Sequence, residues 1–382
     1  MTGPIRCLEF FSGIGGLHHG LNIAGVHAEV VASFDVNEIA NKVYAHNFKK
    51  EPSKKTIDRL TAKDIEKYQA DCWLLSPPCQ PYTQGGKMKD INDSRAKPLL
   101  HLIKLLSTLE NPPTYLFLEN VKNFEISQSR QELMTQLEAL GYEINECLLS
   151  PIQFGIPNHR LRYYLTARRK QQPKNEENVH TSPTTKTTEN RKIHTTWPFD
   201  QEQTFDVPEL ANFLEQLNDD DSFIVPSRYI LRLHNFRLDI VLPSSTKTSC
   251  VTKAYGSNHI MTSGSLLQTK KLETMDYDWQ DTASLLELGL RFLTPTEIGR
   301  LHAFPMPDYS SSSLGSNNGT KNESSSSGVP RHFFSPANLP HLAFPEGVNR
   351  QQQYRLLGNS LNCWVVAELL RCVLFVDSHH VE

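Results

Sequence analysis

The sequence predicts an α/β fold in which a doubly wound, mostly parallel sheet carries a second, smaller domain. Three observations predict it. Short apolar runs alternate with helix-periodic stretches over the first 170 residues, a glycine-rich turn follows the first run, and 382 residues exceed what a single core usually holds.

The runs Ile5 to Phe11, Glu29 to Phe34, Cys72 to Leu75, Tyr115 to Leu118, Tyr142 to Leu149 and Leu161 to Ala167 have the length and apolar content of strands. Between them, Gly16 to Ala24, Asn37 to Phe48, Leu99 to Leu109 and Gln128 to Leu140 return apolar residues at helical spacing, as a helix with one buried face does. Residues 1–170 therefore predict the main domain. Residues 171–221 turn polar and predict a linker, and 222–305 predict the smaller domain. Leu285 to Ala303 resumes helical spacing around Thr294-Pro295-Thr296-Glu297, where Pro suits a first helical turn and Glu the helix dipole. The stretch 306–344, with Ser, Asn and Gly runs at 308–328, predicts a disordered insertion. Residues 345–382 hold a Gly-Asn turn and an amphipathic helix that closes back on the main domain, with Asn359-Ser360 placed to cap that helix.

A formal net charge of −3 with 21% charged and 38% hydrophobic residues is ordinary for a soluble globular protein and announces no polyanionic partner. The distribution says more. Residues 151–175 hold Arg160, Arg162, Arg168, Arg169, Lys170 and Lys174 without an acid, and residues 221–260 hold Arg228, Arg232, Arg237, Lys247 and Lys253 against Asp221 and Asp239. Such patches either bind phosphates or keep a surface solvated. The 7 cysteines form no C-x-x-C pair, which argues for free thiols in a reducing compartment, cytoplasmic or nuclear, rather than for a metal site. No signal peptide is expected, since Met1 to Phe11 has no long apolar run, and no membrane span, since Glu368 and Arg371 break the apolar tail Cys363 to Val376.

The chemistry is concentrated in a few motifs. Pro77-Pro78-Cys79-Gln80 ends the third run. Two successive prolines fix two φ angles and donate no N–H, so they deliver the Cys79 thiol in a stiff loop, as a nucleophile requires. Phe11-Ser12-Gly13-Ile14-Gly15-Gly16-Leu17 opens the first helix, where α/β folds take nucleotide-like ligands, although G-x-G-x-x-G is incomplete. The second run ends in Asp35, placed for a ribose. A glycine turn with a ribose carboxylate and no phosphate clamp fits S-adenosylmethionine better than NAD. Glu119-Asn120-Val121 ends the fourth run, and in a doubly wound sheet Asp35, Cys79 and Glu119 converge at the carboxyl ends of the strands. Glu119 otherwise reads as a helix N-cap neighbour or a surface acid, and Arg160 and Arg162, alternating on one strand face, read equally as structural ion pairs or as groups that steady an anion.

Taken together, these motifs and Gly358-Asn359-Ser360 stand in the order and spacing of the cytosine-5 methyltransferases. Cys250-Val251-Thr252-Lys253-Ala254-Tyr255-Gly256, Gly155-Ile156-Pro157-Asn158 and Arg160-Leu161-Arg162-Tyr163 are similar to signatures of one branch, the tRNA(Asp) cytosine-5 methyltransferases, built like DNA methyltransferases. The family usually has Phe and Gly where Val251 and Ala254 stand.

The resemblance implies a Rossmann-like methyltransferase domain dependent on S-adenosylmethionine, with S-adenosylhomocysteine as product, and a target-recognition domain at 222–305. It implies that Phe11, Gly13, Ile14, Gly15, Gly16 and Leu17 shape the methionine end of the cofactor site, with Asp35 and Val36 at the ribose. Ile57 and Asp58 would flank the adenine, and Ser76, Pro78, Asn359 and Ser360 would complete the site. Cys79, Glu119, Arg160 and Arg162 would be catalytic, and Arg228, Lys253 and Tyr255 would meet the substrate. The implied partner is tRNA, tRNA(Asp) foremost and methylated at cytosine 38 of the anticodon loop, with DNA a weak alternative.

No metal is needed for this chemistry. Carbon 5 of cytosine is a poor nucleophile until a thiolate adds at carbon 6, and a protonated Glu119 at ring nitrogen 3 favours that addition, which requires a raised carboxyl pKa. Three rivals remain: a DNA cytosine-5 methyltransferase, a catalytically silent nucleic-acid-binding protein, and an NAD-dependent oxidoreductase, which leaves Pro77-Pro78-Cys79 unexplained.

Overall fold

The computed structural model describes residues 3–83, 90–170, 192–197, 205–217, 221–233, 235–306 and 339–376. In chain order the elements that position the site are β1 (Ile5–Phe10), α1 (Gly16–Ala24), β2 (Ala28–Phe34), α2 (Glu38–Phe48), α3 (Ala62–Glu66), β3 (Cys72–Leu75), α4 (Lys97–Leu106), β4 (Tyr115–Val121), α5 (Gln128–Ala139), β5 (Tyr142–Leu149), β6 (Asn158–His159) and β7 (Arg162–Arg169). After them come α6 (Ser227–Ile230), β8 (Ile240–Val241), β9 (Thr248–Ser249), β10 (Leu266–Leu267), α7 (Pro295–Leu301), α8 (Arg350–Gly358) and α9 (Cys363–Leu369), the last continued by a π-helical turn at Leu370–Leu374.

Six strands form one sheet in the order β2-β1-β3-β4-β7-β5. β2, β1, β3 and β4 run parallel, so their carboxyl ends share one edge, while β7 enters antiparallel between β4 and β5. Strand alternation sends Leu8, Phe10, Trp73, Leu75, Leu116 and Leu118 to one face, where α3, α4 and α5 cover them. Cys7, Cys72, Leu74, Phe117 and Tyr164 go to the other face and meet α1, α2 and α9. The same period places Glu119 on the face of Phe117, and Arg162 on the face of Tyr164 one pair further along.

Local chemistry sets the helix ends. Asn37 caps α2 by accepting from Ile39 N and Ala40 N, Ser127 caps α5, and Thr61 and Thr294 close capping boxes on α3 and α7. Asn359-Ser360 does not cap the last helix. That cap is Asn362, whose Oδ1 accepts from Trp364 N and Val365 N, which leaves Asn359-Ser360 in the turn that follows Gly358 at the end of α8.

Residues 222–305 hold short two-residue pairings, β8 with β10 and β9 with β6. Their buried side chains, among them Val241, Tyr255, Leu266, Phe292 and Leu293, are continuous with the α1/α9 face of the sheet. Within 171–221, His194 bridges to Cys147 at the free edge of β5, and Leu210 and Phe213 are buried. Most of 171–204 and the Ser-rich stretch 308–328 lie outside the described residues. No helix among the described residues is long and apolar enough to cross a membrane.

Candidate active site

The carboxyl ends of β1, β2, β3 and β4 open into one cavity of about 490 Å³, within the usual range for a small-molecule site. Phe11, Gly13, Ile14, Gly16, Leu17, Asp35, Val36, Ile57, Asp58, Ser76, Pro78, Cys79, Glu119, Arg160, Arg162, Asn359 and Ser360 all line it. Segments from both ends of the chain therefore share one pocket.

One end of the cavity is a glycine-rich cradle. Phe11 holds φ 58°, a costly conformation for a bulky residue, and Gly13 continues the left-handed turn at 52°. Asp35 braces this turn through Oδ2, which accepts from Gly13 N at 2.8 Å, while Oδ1 accepts from Asn37 N at 2.8 Å. Each carboxylate oxygen keeps a lone pair for a further donor. Burial pushes the Asp35 carboxyl up, and these backbone N–H groups offset part of that rise. A Cβ on Gly16 would stand 2.9 Å from Leu361 and 3.2 Å from Ser360 Oγ, so only glycine lets the last turn close over the cradle. Gly15 behaves differently from the sequence expectation. It does not line the cavity, and its φ of 87° and its approach to Phe48, 2.3 Å from a would-be Cβ, make it a packing glycine.

This end fits an S-adenosyl group. Val36, 61% exposed, and Ile57 line the same cavity, apolar surface suited to a purine. Ser12 Oγ is buried in the cavity lining without a partner, a free donor for an amino-acid carboxylate.

The other end holds the reactive groups. The loop after β3 is tied down by Ser76 N to Phe10 O at 3.3 Å, Asn120 Nδ2 to Pro77 O at 3.3 Å and Tyr82 N to Cys79 O at 3.0 Å. The Cys79 thiol is thus half-buried and faces the cavity. Glu119, 7% exposed, accepts from Ser76 Oγ at 3.4 Å and stands 3.6 Å from Arg162 Nε. Burial pushes its carboxyl up; Arg162, Arg160 and the Ser76 bond pull it back, and it remains above its ordinary value. Burial likewise pushes the Cys79 thiol up, against Arg162 and Arg160 and with Glu119, so its proton is held more tightly than that of a free cysteine.

Arg160 departs from the strand position expected for it. β7 begins only at Arg162, and Arg160 lies just ahead of it, 3% exposed. Its guanidinium donates to Cys250 Sγ at 3.0 Å, to Val251 O at 3.3 Å and to Ser360 O. Arg162 reaches the same sulfur at 3.4 Å. Burial pushes the Cys250 thiol up, but the two guanidiniums outweigh it and leave it below its usual value. Cys250, Val251 and the Ser360 turn are therefore locked to the catalytic end of the sheet by one arginine.

The substrate-side expectations divide. Tyr255 is a correction: it is fully buried, its hydroxyl donating to Ser265 O at 2.7 Å and accepting from Leu293 N at 2.8 Å, so it is a core residue that no substrate touches. Lys253 is exposed outside the cavity, and its backbone abuts Gly358, where a Cβ would come within 2.5 Å of Lys253 N. Arg228 lines a separate cleft. Sequence reasoning passed over Ser94, Arg95 and Pro98, which wall the cavity where α4 starts. Arg95 is fixed by Asp93 at 2.6 and 2.8 Å, and a Pro at a helix start after Asp-Ser-Arg was the available signal.

Comparison with known proteins agrees with this geometry. The family model described as C-5 cytosine-specific DNA methylase matches residues 5–323. The chain is 34% identical to the human tRNA (cytosine(38)-C(5))-methyltransferase, over 96% of this chain and 98% of that protein. It is also 34% identical to a Dictyostelium discoideum DNA (cytosine-5)-methyltransferase, over 97% of this chain and 94% of that protein. Among solved structures it resembles the Entamoeba histolytica methyltransferase EhMeth, with a TM-score of 0.74 and 32% identity over 98% of this chain and 99% of that one.

Proposed function

Because the chain belongs to the C-5 cytosine-specific DNA methylase family, we propose that it methylates carbon 5 of cytosine 38 in the anticodon loop of tRNA(Asp). The observation that carries this reading is the meeting of Cys79, Glu119 and Arg162 in the cavity that also holds the glycine cradle and Asp35. Bound there, S-adenosylmethionine supplies an electrophilic methyl group. Gly13, Asp35 and Ser12 would hold its polar ends, with Val36 and Ile57 against the adenine.

Cys79 gives its proton to water as the base arrives, and its sulfur bonds to carbon 6 of the cytosine as the 5,6 π bond opens. Glu119, whose protonated form burial favours, donates to ring nitrogen 3, so the electron pair of the 5,6 double bond becomes available at carbon 5. Arg162 holds the carboxyl in place and stabilises the carboxylate left behind. After methyl transfer, which leaves S-adenosylhomocysteine, the carbon 5 proton passes to water, its bonding pair re-forms the 5,6 double bond, the sulfur–carbon 6 bond breaks to release the Cys79 thiolate, and ring nitrogen 3 returns its proton to Glu119. A base inside a helix cannot reach this cavity, whereas a loop base is extruded at lower cost. That favours RNA loops, and the identity to tRNA-modifying relatives supports the same choice.

The relative named as a DNA methyltransferase keeps one alternative in view, duplex DNA as substrate for the same chemistry. Bisulfite sequencing of tRNA incubated with purified protein and S-adenosylmethionine, beside labelled methyl transfer to duplex DNA, separates them. The expected result is one converted-resistant cytosine in the anticodon loop of tRNA(Asp) and little label in DNA; label in DNA with unmodified tRNA would overturn the proposal.

A further inference from the structure

A second cavity, of about 610 Å³, opens beside α6 and α8 and shares no lining residue with the catalytic pocket. Arg228, Tyr229, Arg232, Asn258, Gln351 and Arg355 wall it, and no carboxylate does. The guanidinium carbons of Arg228 and Arg232 lie 5.3 and 5.4 Å from the centre of the Tyr229 ring. Both cations therefore rest against one half-buried aromatic ring while remaining exposed to solvent. Arg232 also donates to Asn258 O, which ties it to the opposite rim.

The walls are stiff. Gly256 sits at φ +71° with Tyr354 2.3 Å from a would-be Cβ, which presses the 256–258 loop onto α8. Gln351 Nε2 donates to Tyr255 O at 3.1 Å from the other side. An arginine normally loses much rotamer freedom on gripping an anion, and a ring that holds the guanidinium in advance reduces that loss. A concave surface with three cations, no acid and pre-ordered forks matches the phosphodiester backbone of a folded nucleic acid.

Its place in the molecule narrows the partner. α8 runs from Gln351 in this cleft to Gly358 in the catalytic pocket, seven residues and about 10 Å along a helix axis. We propose that the cleft is a subsite for the RNA backbone flanking the target nucleotide, in which Tyr229 orders Arg228 and Arg232 while Arg355 closes the grip from α8. This rests on the reading of the enzyme as an RNA methyltransferase and adds the place where phosphates beside the target are held. Tyr229 contributes no charge, so its role is distinguishable from a general attraction between basic protein and polyanion.

The test measures binding of full-length protein, without cofactor, to tRNA(Asp) and to a duplex DNA with as many phosphates, over a range of salt. In the variant Arg228→Gln/Arg232→Gln/Arg355→Gln, tRNA affinity should fall at least about tenfold and the salt slope by about two, at ~0.7 per single-strand phosphate contact. Tyr229→Leu, with every charge retained, should lose several-fold in tRNA affinity, and Tyr229→Phe should retain it. Duplex DNA should weaken less in each case. Unchanged tRNA affinity in the triple variant or in Tyr229→Leu overturns the proposal, as does an equal loss for duplex DNA. Binding of S-adenosylhomocysteine by each variant reports that the fold is intact. If wild-type protein methylates no RNA, the RNA reading itself fails; if it methylates tRNA and the variants bind normally, only the cleft assignment falls.

Discussion

The catalytic pocket and the cleft beside it both rest on arginine, yet they hold it in opposite ways. Arg160 is 3% exposed and donates from its two terminal guanidinium nitrogens to Cys250, Val251 and Ser360, while Arg162 is shared between Glu119 and Cys250. Arg228, Arg232 and Arg355 stand in solvent with an aromatic ring, a backbone carbonyl and an open rim around them. A buried network that loses one charged member leaves another without its partner, so changes there act steeply. Exposed cations act by degrees and answer to salt. The comparison predicts steep loss at the sheet edge and graded, salt-dependent loss in the cleft.

The largest effect is expected for Glu119→Gln. On the proposed mechanism it removes the acid at ring nitrogen 3, and it should lower kcat by about 10²–10⁴, with S-adenosylhomocysteine affinity largely unchanged. The wild-type rate should rise with pH as Cys79 deprotonates and fall as Glu119 loses its proton, and the variant should lose the second dependence. A graded, few-fold loss would place the carboxyl outside the chemistry.

Next is Glu9, fully buried behind the cradle, whose Oε2 accepts from Tyr44 hydroxyl at 2.9 Å and Oε1 from His18 N at 3.2 Å. Burial raises its pKa from 4.5 to about 8. Because the folded value is the higher one, its contribution is complete below pH 4.5 and is lost as pH rises to about 8. Unfolding should therefore show wild-type stability declining against Glu9→Gln across that window, by a few kcal/mol in order of magnitude. A constant difference between the two proteins would mean that Glu9 is ionised in the fold.

A smaller effect sharpens the link between the two regions. In Gly358→Ala a Cβ would stand 2.3 Å from the Thr252 carbonyl carbon, and backbone cannot move aside as a side chain can. Destabilisation of about 1–3 kcal/mol is expected, with weaker S-adenosylhomocysteine binding because the Ser360 turn shifts. Thermal unfolding with and without that ligand checks both; normal binding at lowered stability would separate this contact from the pocket.

The sheet was legible because local rules decide it. Gly16–Ala24 matches its helical pattern residue for residue, as do Cys72–Leu75 and Tyr142–Leu149 for strands. Once the strands run parallel, Asp35, Cys79 and Glu119 must gather at one edge, and they do. What stayed hidden depends on contacts between distant positions. Arg160 and Cys250 are 90 residues apart, and no period in the sequence joins them. Tyr255 beside Lys253 reads as a binding pair until Ser265 and Leu293 are seen to enclose its hydroxyl. Arg355 lies on α8, ahead of the Gly-Asn turn where no helix was expected, and only the approach of α6 makes it a wall of the cleft.

The most direct test of the account is to capture the bond from Cys79 to the base. A tRNA carrying 5-fluorocytosine at the target position has no carbon 5 proton to lose, so release of the sulfur is blocked after methyl transfer. With S-adenosylmethionine present, wild-type protein should give a denaturation-resistant RNA–protein adduct whose modified peptide contains Cys79, and Cys79→Ala should give none. An adduct mapped to Cys250, or undiminished methylation of ordinary tRNA by Cys79→Ala, would contradict it.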